Sequence, residues 1–457
     1  MEGNGLSKPK DSFTTKLGFI FASAGSAIGL GALWEFPYMT GSSGGGAFFF
    51  MFLIFTFLVG LPILLAEYII GRGSQKDAVR AYNHYAPKKS WHLVGRWGIV
   101  GSIILLSFYS VVGGWIIIYI VKALTGGLGD LSTESYGGMF ESTTGNYAIV
   151  FFAHIAFLLI TVLVVSRGIK HGIEKASKFL MPALLILLIV VVAHSLVLDN
   201  AMEGVSYFLS LDFSSLNGSS ILMALGQSFF LLSVGFSNQV TYSSYVSKDE
   251  NLVNSATVVV IMNIVVAFLA GLAIFPAVFS IGIEPEVGPG LLFIALPAAF
   301  GQMPFGIFFF AIFLILFLFA ALTSAFPLLE VVIAAITKDD QTHRKKWTWI
   351  VGTIIFVLGI PSALSFGVLG DFQFFGNNFF DNANFLVSNI MLPLGALMIA
   401  LFIHFQIPRK ELVAEFTNNT SKRMRLFVGW LFIIKYVAPF AIILAFLNVI
   451  GFFKLLF

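Results

Sequence analysis

The chain contains no cysteine. Disulfides, thiolate nucleophiles and thiolate metal sites are therefore excluded. Charge is scarce as well: Lys, Arg, Asp and Glu make up 11% of the 457 residues, against roughly 25% in a soluble domain. The seven histidines, at 84, 92, 154, 171, 194, 343 and 404, are scattered. No nucleophile–base pair or metal cluster emerges from them, so an enzyme is not expected. Apolar residues are what the sequence has, at 58%, with a mean hydropathy of +0.93. This composition excludes an ordinary soluble enzyme, a disordered chain and a nucleic-acid partner. It points to an all-α polytopic membrane protein with the lipid bilayer as its solvent.

One transmembrane helix needs about 20 apolar residues. The hydrophobic pattern predicts eleven spans, near 16–38, 45–71, 98–124, 147–166, 176–198, 219–242, 252–281, 303–337, 347–369, 385–407 and 426–453. Helices rather than a barrel are expected, because runs such as Phe48 to Leu65 are apolar on every face. The polar residues 1–15 read as a cytoplasmic segment with no removable signal peptide, so span 1 is expected to be an uncleaved anchor. Of the 26 basic residues, 23 fall in the N-terminus and in the loops after spans 2, 4, 6, 8 and 10. The opposite loops (125–146, 199–218, 282–302 and 370–384) contain none. The positive-inside rule then predicts a protein of the cell membrane with a cytoplasmic N-terminus and, with an odd span count, an extracellular C-terminus.

Two spans carry interruptions. Span 1 contains Gly25-Ser26-Ala27-Ile28-Gly29-Leu30-Gly31, then Trp34-Glu35-Phe36-Pro37. Three glycines in seven residues disfavour a continuous helix. Span 6 carries Phe229-Phe230-Leu231-Leu232-Ser233-Val234-Gly235-Phe236-Ser237, a small and polar break at mid-depth. The two spans hold matching places in two sets of five. Paired broken helices in inverted halves point to a transporter binding site, where freed carbonyls receive a cation and freed amides an anion. Close packing through small residues is the competing explanation. In span 8, Thr323-Ser324 reads either as two hydroxyl ligands facing span 1 or as side chains bonded back to their own helix. Glu67 and Glu330 are intramembrane acids, expected to be functional or to hold unwound backbone amides.

These residues resemble the neurotransmitter:sodium symporter family, on its eleven-helix bacterial branch, from about Thr15 to about Ile450. The motifs are the span 1 run ending in Trp34-x-Phe36-Pro37-Tyr38, and Gly44-Gly45-Gly46-Ala47-Phe48. Ser107-Phe108-Tyr109-Ser110 follows, then Gly226-Gln227-x-Phe229-Phe230, Leu322-Thr323-Ser324 with Glu330, and Phe379-Phe380-Asp381. The resemblance implies a five-plus-five inverted repeat, units 16–198 and 219–407, with span 11 (426–453) outside it. It implies a symporter that imports a small organic solute, by family default an amino acid, by alternating access, with the sodium ion as its only cofactor. A carrier of amines with altered ion coupling and a non-transporting, sensor-like relative remain as alternatives.

Carried over residue by residue, the family's second sodium site comprises the carbonyls of Gly25, Ile28 and Ala320 and the hydroxyls of Thr323 and Ser324. Tyr109 matches the tyrosine that binds the substrate carboxylate, beside Gly29 and Gly31. Phe230, Ser233 and Phe236 match residues around the substrate, with Val112 and Leu328 nearby. The first sodium site is degenerate: Ala32 and Leu231 replace its Asn and its hydroxyl residue, leaving the Ala27 carbonyl and Asn263. The chloride site is also expected to be absent, with Phe52, Leu231, Val266 and Ala267 at its positions. At the outer gate Glu35 replaces the family's arginine and Asn384 its acidic partner, with Asp381 one turn away. Asn384 is expected to donate a hydrogen bond to Glu35. At the inner gate Lys10 or Lys16 is expected to meet Asp339 or Asp340.

Overall fold

The computed structural model of the protein describes residues 11–128, 133–280, 282, 288–303, 305–338, 340–418 and 423–452. Among them, nine helices are long and apolar enough to cross a membrane. They are Gly46–Ser74 (span 2), His92–Leu124 (span 3), Tyr147–Val165 (span 4), Ile169–Ser195 (span 5), Leu252–Phe279 (span 7), Gly306–Thr337 (span 8), Arg344–Leu364 (span 9), Phe379–Gln406 (span 10) and Met424–Val449 (span 11). Span 1 is a pair, Lys16–Ala27 and Gly31–Ser42, bent by 53°. Span 6 is also a pair, Gly218–Phe230 and Asn238–Ser243, separated by the non-helical residues 231–237. The nine long helices and the two broken pairs follow the order that the sequence predicts, with starts shifted by up to seven residues.

The breaks have local causes. Ile28 leaves helical geometry at φ −86° and ψ 81°, between Ala27 and the glycines that follow. In span 6 the backbone turns left-handed at Ser233 (φ 50°), Gly235 (φ 110°) and Ser237 (φ 59°). A left-handed serine costs about 1 kcal/mol or more, so both serines need compensating partners. Ser233 Oγ donates to the Ser26 carbonyl at 2.7 Å, tying the break in span 6 to the break in span 1. Ser237 Oγ shares a 2.9 Å hydrogen bond with Tyr82 Oη.

Spans 3 and 8 form the centre of the bundle and pack along each other. Three helices in the loops that carry no basic residue, Thr133–Gly145, Ala201–Leu209 and Ala295–Gly301, are too short or too polar to stand out in the sequence. Span 9 begins three residues earlier than the hydropathy pattern predicts, at Arg344. Its guanidinium is drawn into the protein by the Val165 carbonyl (3.1 and 2.9 Å) and by the Glu330 carboxylate. Glu330 also accepts from Tyr245 Oη at 2.9 Å. It therefore holds an arginine and a tyrosine, not the backbone amides that the sequence reading allowed for. His154 bonds Ser110 Oγ at 2.8 Å, and His194 stacks on Phe309.

The face bearing the basic loops is closed. Phe13 donates its amide to the Tyr245 carbonyl (3.2 Å) and sets its ring against Phe19 and Tyr242. Thr14 bonds Glu174 through both its amide (2.8 Å) and its hydroxyl (2.7 Å). Lys16 pairs with Glu250 at 3.1 Å, not with Asp340, which caps Thr342 instead. Lys10 and Asp339 lie outside the described residues.

Candidate functional site

A cavity of about 40 Å³ lies where the two broken spans meet. Span 1 contributes Ser26, Ala27, Gly29, Leu30 and Gly31, and span 6 contributes Phe230, Ser233, Phe236 and Asn238. Spans 3, 8 and 10 add Leu105, Tyr109, Ser324, Leu328 and Leu392. All the substrate residues read from the sequence except Val112 therefore converge on one space. Val112 lines the larger vestibule beside it. Ser26, Leu105, Asn238 and Leu392 escaped the sequence reading. Ser26 and Asn238 sit in runs dominated by glycines and aromatics, and Leu105 and Leu392 carry no polar signal.

The polar groups are few and convergent, as in a small-molecule site. The Leu30 amide, freed by the break, donates to Tyr109 Oη at 3.4 Å, and Ser324 lines the same cavity. Ser26 Oγ is buried without a hydrogen-bond partner among the described residues. Apart from Ser233 and Asn238, the remaining side chains of the wall are apolar. A space of about 40 Å³ holds a few waters. A larger solute therefore enters only if Phe230 or Phe236 moves.

Span 8 meets span 1 beside this cavity. Ser324 Oγ donates to the carbonyls of Gly25 (2.8 Å) and Ser26 (3.2 Å). Thr323 Oγ1 donates to its own helix, to the Phe319 and Ala320 carbonyls, both at 3.0 Å. Thr323 thus bonds back to its own helix, while Ser324 reaches span 1. The approach is close: a Cβ on Gly25 would come within 2.8 Å of Thr323 Cβ, and one on Gly29 would overlap Ser324 Oγ. The set consists of uncharged hydroxyl and carbonyl oxygens, a donor type suited to a hard cation. These residues fit sodium as a transported ion, with Gly25, Ile28, Ala320, Thr323 and Ser324 as the groups that would hold it.

The other sodium position does not fit. Ala32 and Leu231 are fully buried and apolar, and pack into a cluster with Phe36, Phe52 and Ala267. Asn263 Nδ2 donates to the Leu231 carbonyl at 2.9 Å, while Asn263 Oδ1 has no partner among the described residues. The same cluster fills the expected chloride position with aromatic carbon.

Above the central cavity lies a vestibule of about 350 Å³, lined by Glu35, Asp381 and Asn384 together with Trp34, Phe108 and Trp115. All three predicted gate residues face it. Leu30, Leu105, Tyr109 and Phe230 line both spaces and form the wall between them. Glu35 does not pair with Asn384 here. Its Oε1 accepts from Gln227 Nε2 at 3.1 Å, and Asn384 Oδ1 accepts from Ser388 Oγ at 3.0 Å.

Two discontinuous helices crossing at mid-membrane, with a site between them, define a secondary transporter. The profile of the sodium:neurotransmitter symporter family matches residues 10–136 and 140–456, and the chain belongs to this family. YhdH of Bacillus subtilis (strain 168), described as an uncharacterized sodium-dependent transporter, is 51% identical over 439 residues, covering 96% of this chain and 97% of that protein. An uncharacterized sodium-dependent transporter of Haemophilus influenzae is 34% identical over 457 residues, covering 96% of this chain and 98% of that protein. The crystal structure of MhsT in complex with L-phenylalanine aligns with a TM-score of 0.89 at 41% identity, over 96% of this chain and 100% of that one. The protein is a multi-pass membrane transporter coupled to sodium, on the bacterial branch of the family.

Proposed function

We propose that this transporter imports an apolar L-amino acid by alternating access, coupled to one sodium ion. The observation that carries the reading is the central cavity: apolar walls around Tyr109 Oη and the freed Leu30 amide. The tyrosine hydroxyl and the broken end of span 1 would receive the carboxylate. Phe230, Phe236, Leu105, Leu328 and Leu392 would take the side chain. The 41% identical MhsT, solved with L-phenylalanine, supports this class of substrate. Gly25, Ile28, Ala320, Thr323 and Ser324 would hold the coupling ion, while Ala27 and Asn263 keep too few oxygens for a second. Import follows if the basic loops face the cytoplasm, with the C-terminus outside.

Thermal stabilisation of the purified protein tests the reading, since a ligand of the folded state raises stability by mass action. Sodium should stabilise it more than potassium does, and choline should not stabilise it. One or a few apolar amino acids should add to the effect of sodium, and Thr323→Ala should remove both that addition and the excess of sodium over potassium. Indifference to sodium would sink the proposal. The cysteine-free background allows a direct test of orientation. A cysteine at Lys89 should be shielded from an impermeant maleimide in intact cells, and one at Asp371 should react.

A second reading, an amine carrier, rests on Glu35, whose carboxylate makes the vestibule attractive to cations. Competition for binding by amines, with no effect of α-amino acids, would favour it.

A further inference from the structure

Beside the vestibule, and separated from the central cavity by Phe230, lies another space of about 80 Å³ between spans 1, 6, 10 and 11. Its polar lining is Glu35, Gln227, Ser388, Asn389 and Asn448, and no basic residue lines it. Span 11 contributes to it although that span lies outside the five-plus-five repeat.

The hydrogen-bond bookkeeping leaves oxygens to spare. Gln227 is only 5% exposed; its Nε2 is spent on Glu35 Oε1, and its own Oε1 has no partner among the described residues. An orphaned buried oxygen costs about 1–3 kcal/mol. Ser388 commits its proton to Asn384 Oδ1, so its lone pairs remain to accept. Asn448 turns its Nδ2 toward Ser219 Oγ at 3.5 Å, which leaves its carbonyl oxygen free for the cavity. One carboxylate with no basic residue along the cavity, surrounded by carbonyl and hydroxyl oxygens, is the complement of a small cation. Hard monovalent ions and ammonium groups both take such a donor set, and a half-buried carboxylate such as Glu35 gains from a direct counter-charge.

We propose that this cavity binds a small monovalent cation, an alkali ion or a primary ammonium group, held by Glu35 and Gln227 with Ser388, Asn389 and Asn448. Such an ion ties span 11 to both broken helices on the vestibule side. It is separate from the coupling ion between spans 1 and 8.

The test counts bound ions on the full-length protein by equilibrium dialysis with radiolabelled sodium and, separately, with rubidium as a potassium stand-in. The double variant Thr323→Ala/Ser324→Ala removes the hydroxyls of the central ion site. It should retain about one ion per chain, displaced by methylammonium and not by choline, which is too bulky for the cavity. Adding Glu35→Gln should weaken that binding at least tenfold. Adding Asn448→Leu, remote from the central cavity, should weaken it severalfold and serves where the Glu35 variant fails to fold. Retention of neither ion by the double variant would overturn the proposal. So would displacement by choline, or binding indifferent to both additional substitutions. If the double variant instead binds as many ions as the wild type, the central sodium site is the reading that fails.

Discussion

Glu67 Oε1 accepts the Gly235 amide at 2.7 Å, from a fully buried position in span 2 to the left-handed turn of span 6. Its other oxygen accepts the Val240 amide at 3.3 Å, where the helix resumes. One carboxylate thus spans the gap and satisfies amides that the missing helical turn leaves exposed. From the other side Asn263 holds the Leu231 carbonyl. The break is fixed at both ends by neighbouring spans, and the substrate residues Phe230, Ser233 and Phe236 inherit their positions from these two clamps.

Replacing Glu67 by Gln leaves an NH₂ facing amide donors and removes a charge-assisted acceptor. A loss of about 2 kcal/mol is expected. It should appear as a lower melting temperature in detergent together with loss of substrate-induced stabilisation. Asn263→Ala should show the same pattern, more weakly.

The Arg344–Glu330–Tyr245 group makes a different prediction. Arg344 and Glu330 are both buried, so removing one partner strands a charge. Glu330→Ala or Arg344→Ala alone should cost about 3–5 kcal/mol, whereas the paired change Glu330→Leu/Arg344→Met should cost less than either. Melting temperatures of the four proteins decide this. A double variant worse than both singles would count against it.

The apolar plug at the first sodium position can be reversed. Ala32→Asn with Leu231→Thr restores oxygen donors beside Asn263 and the Ala27 carbonyl. The Hill coefficient for sodium in uptake is expected to rise from about one toward two. Ala32→Asn alone should destabilise the protein by about 1–3 kcal/mol, because it enlarges a fully packed position.

Gly29→Ala should abolish amino-acid stabilisation and the excess of sodium over potassium stabilisation, since its Cβ would overlap Ser324 Oγ and press on Tyr109 Oη at 3.0 Å. Gly226→Ala is the control for the central site: it lines the neighbouring cavity, and a Cβ there meets nothing within 4 Å, so amino-acid stabilisation should be unchanged.

The sequence by itself determined the eleven spans, the two breaks and most residues around the central cavity. Each rests on local chemistry: uninterrupted apolar length, glycines clustered at mid-helix, and hydroxyls in an otherwise apolar span. The absence of Asn and Thr at positions 32 and 231 was equally legible. Pairings between distant side chains were decided only by the tertiary structure. Glu35 has two candidate partners of similar chemistry, Gln227 and Asn384, and the approach of span 6 to span 1 selects Gln227. Lys16 has acids on several loops, and the packing of the face that bears the basic loops places Glu250 nearest. Arg344 reads as a surface charge until the bundle offers it the Val165 carbonyl and Glu330. Periodicity records which way a residue faces along its own helix; which neighbour it meets depends on how eleven helices pack, and that is not a local property.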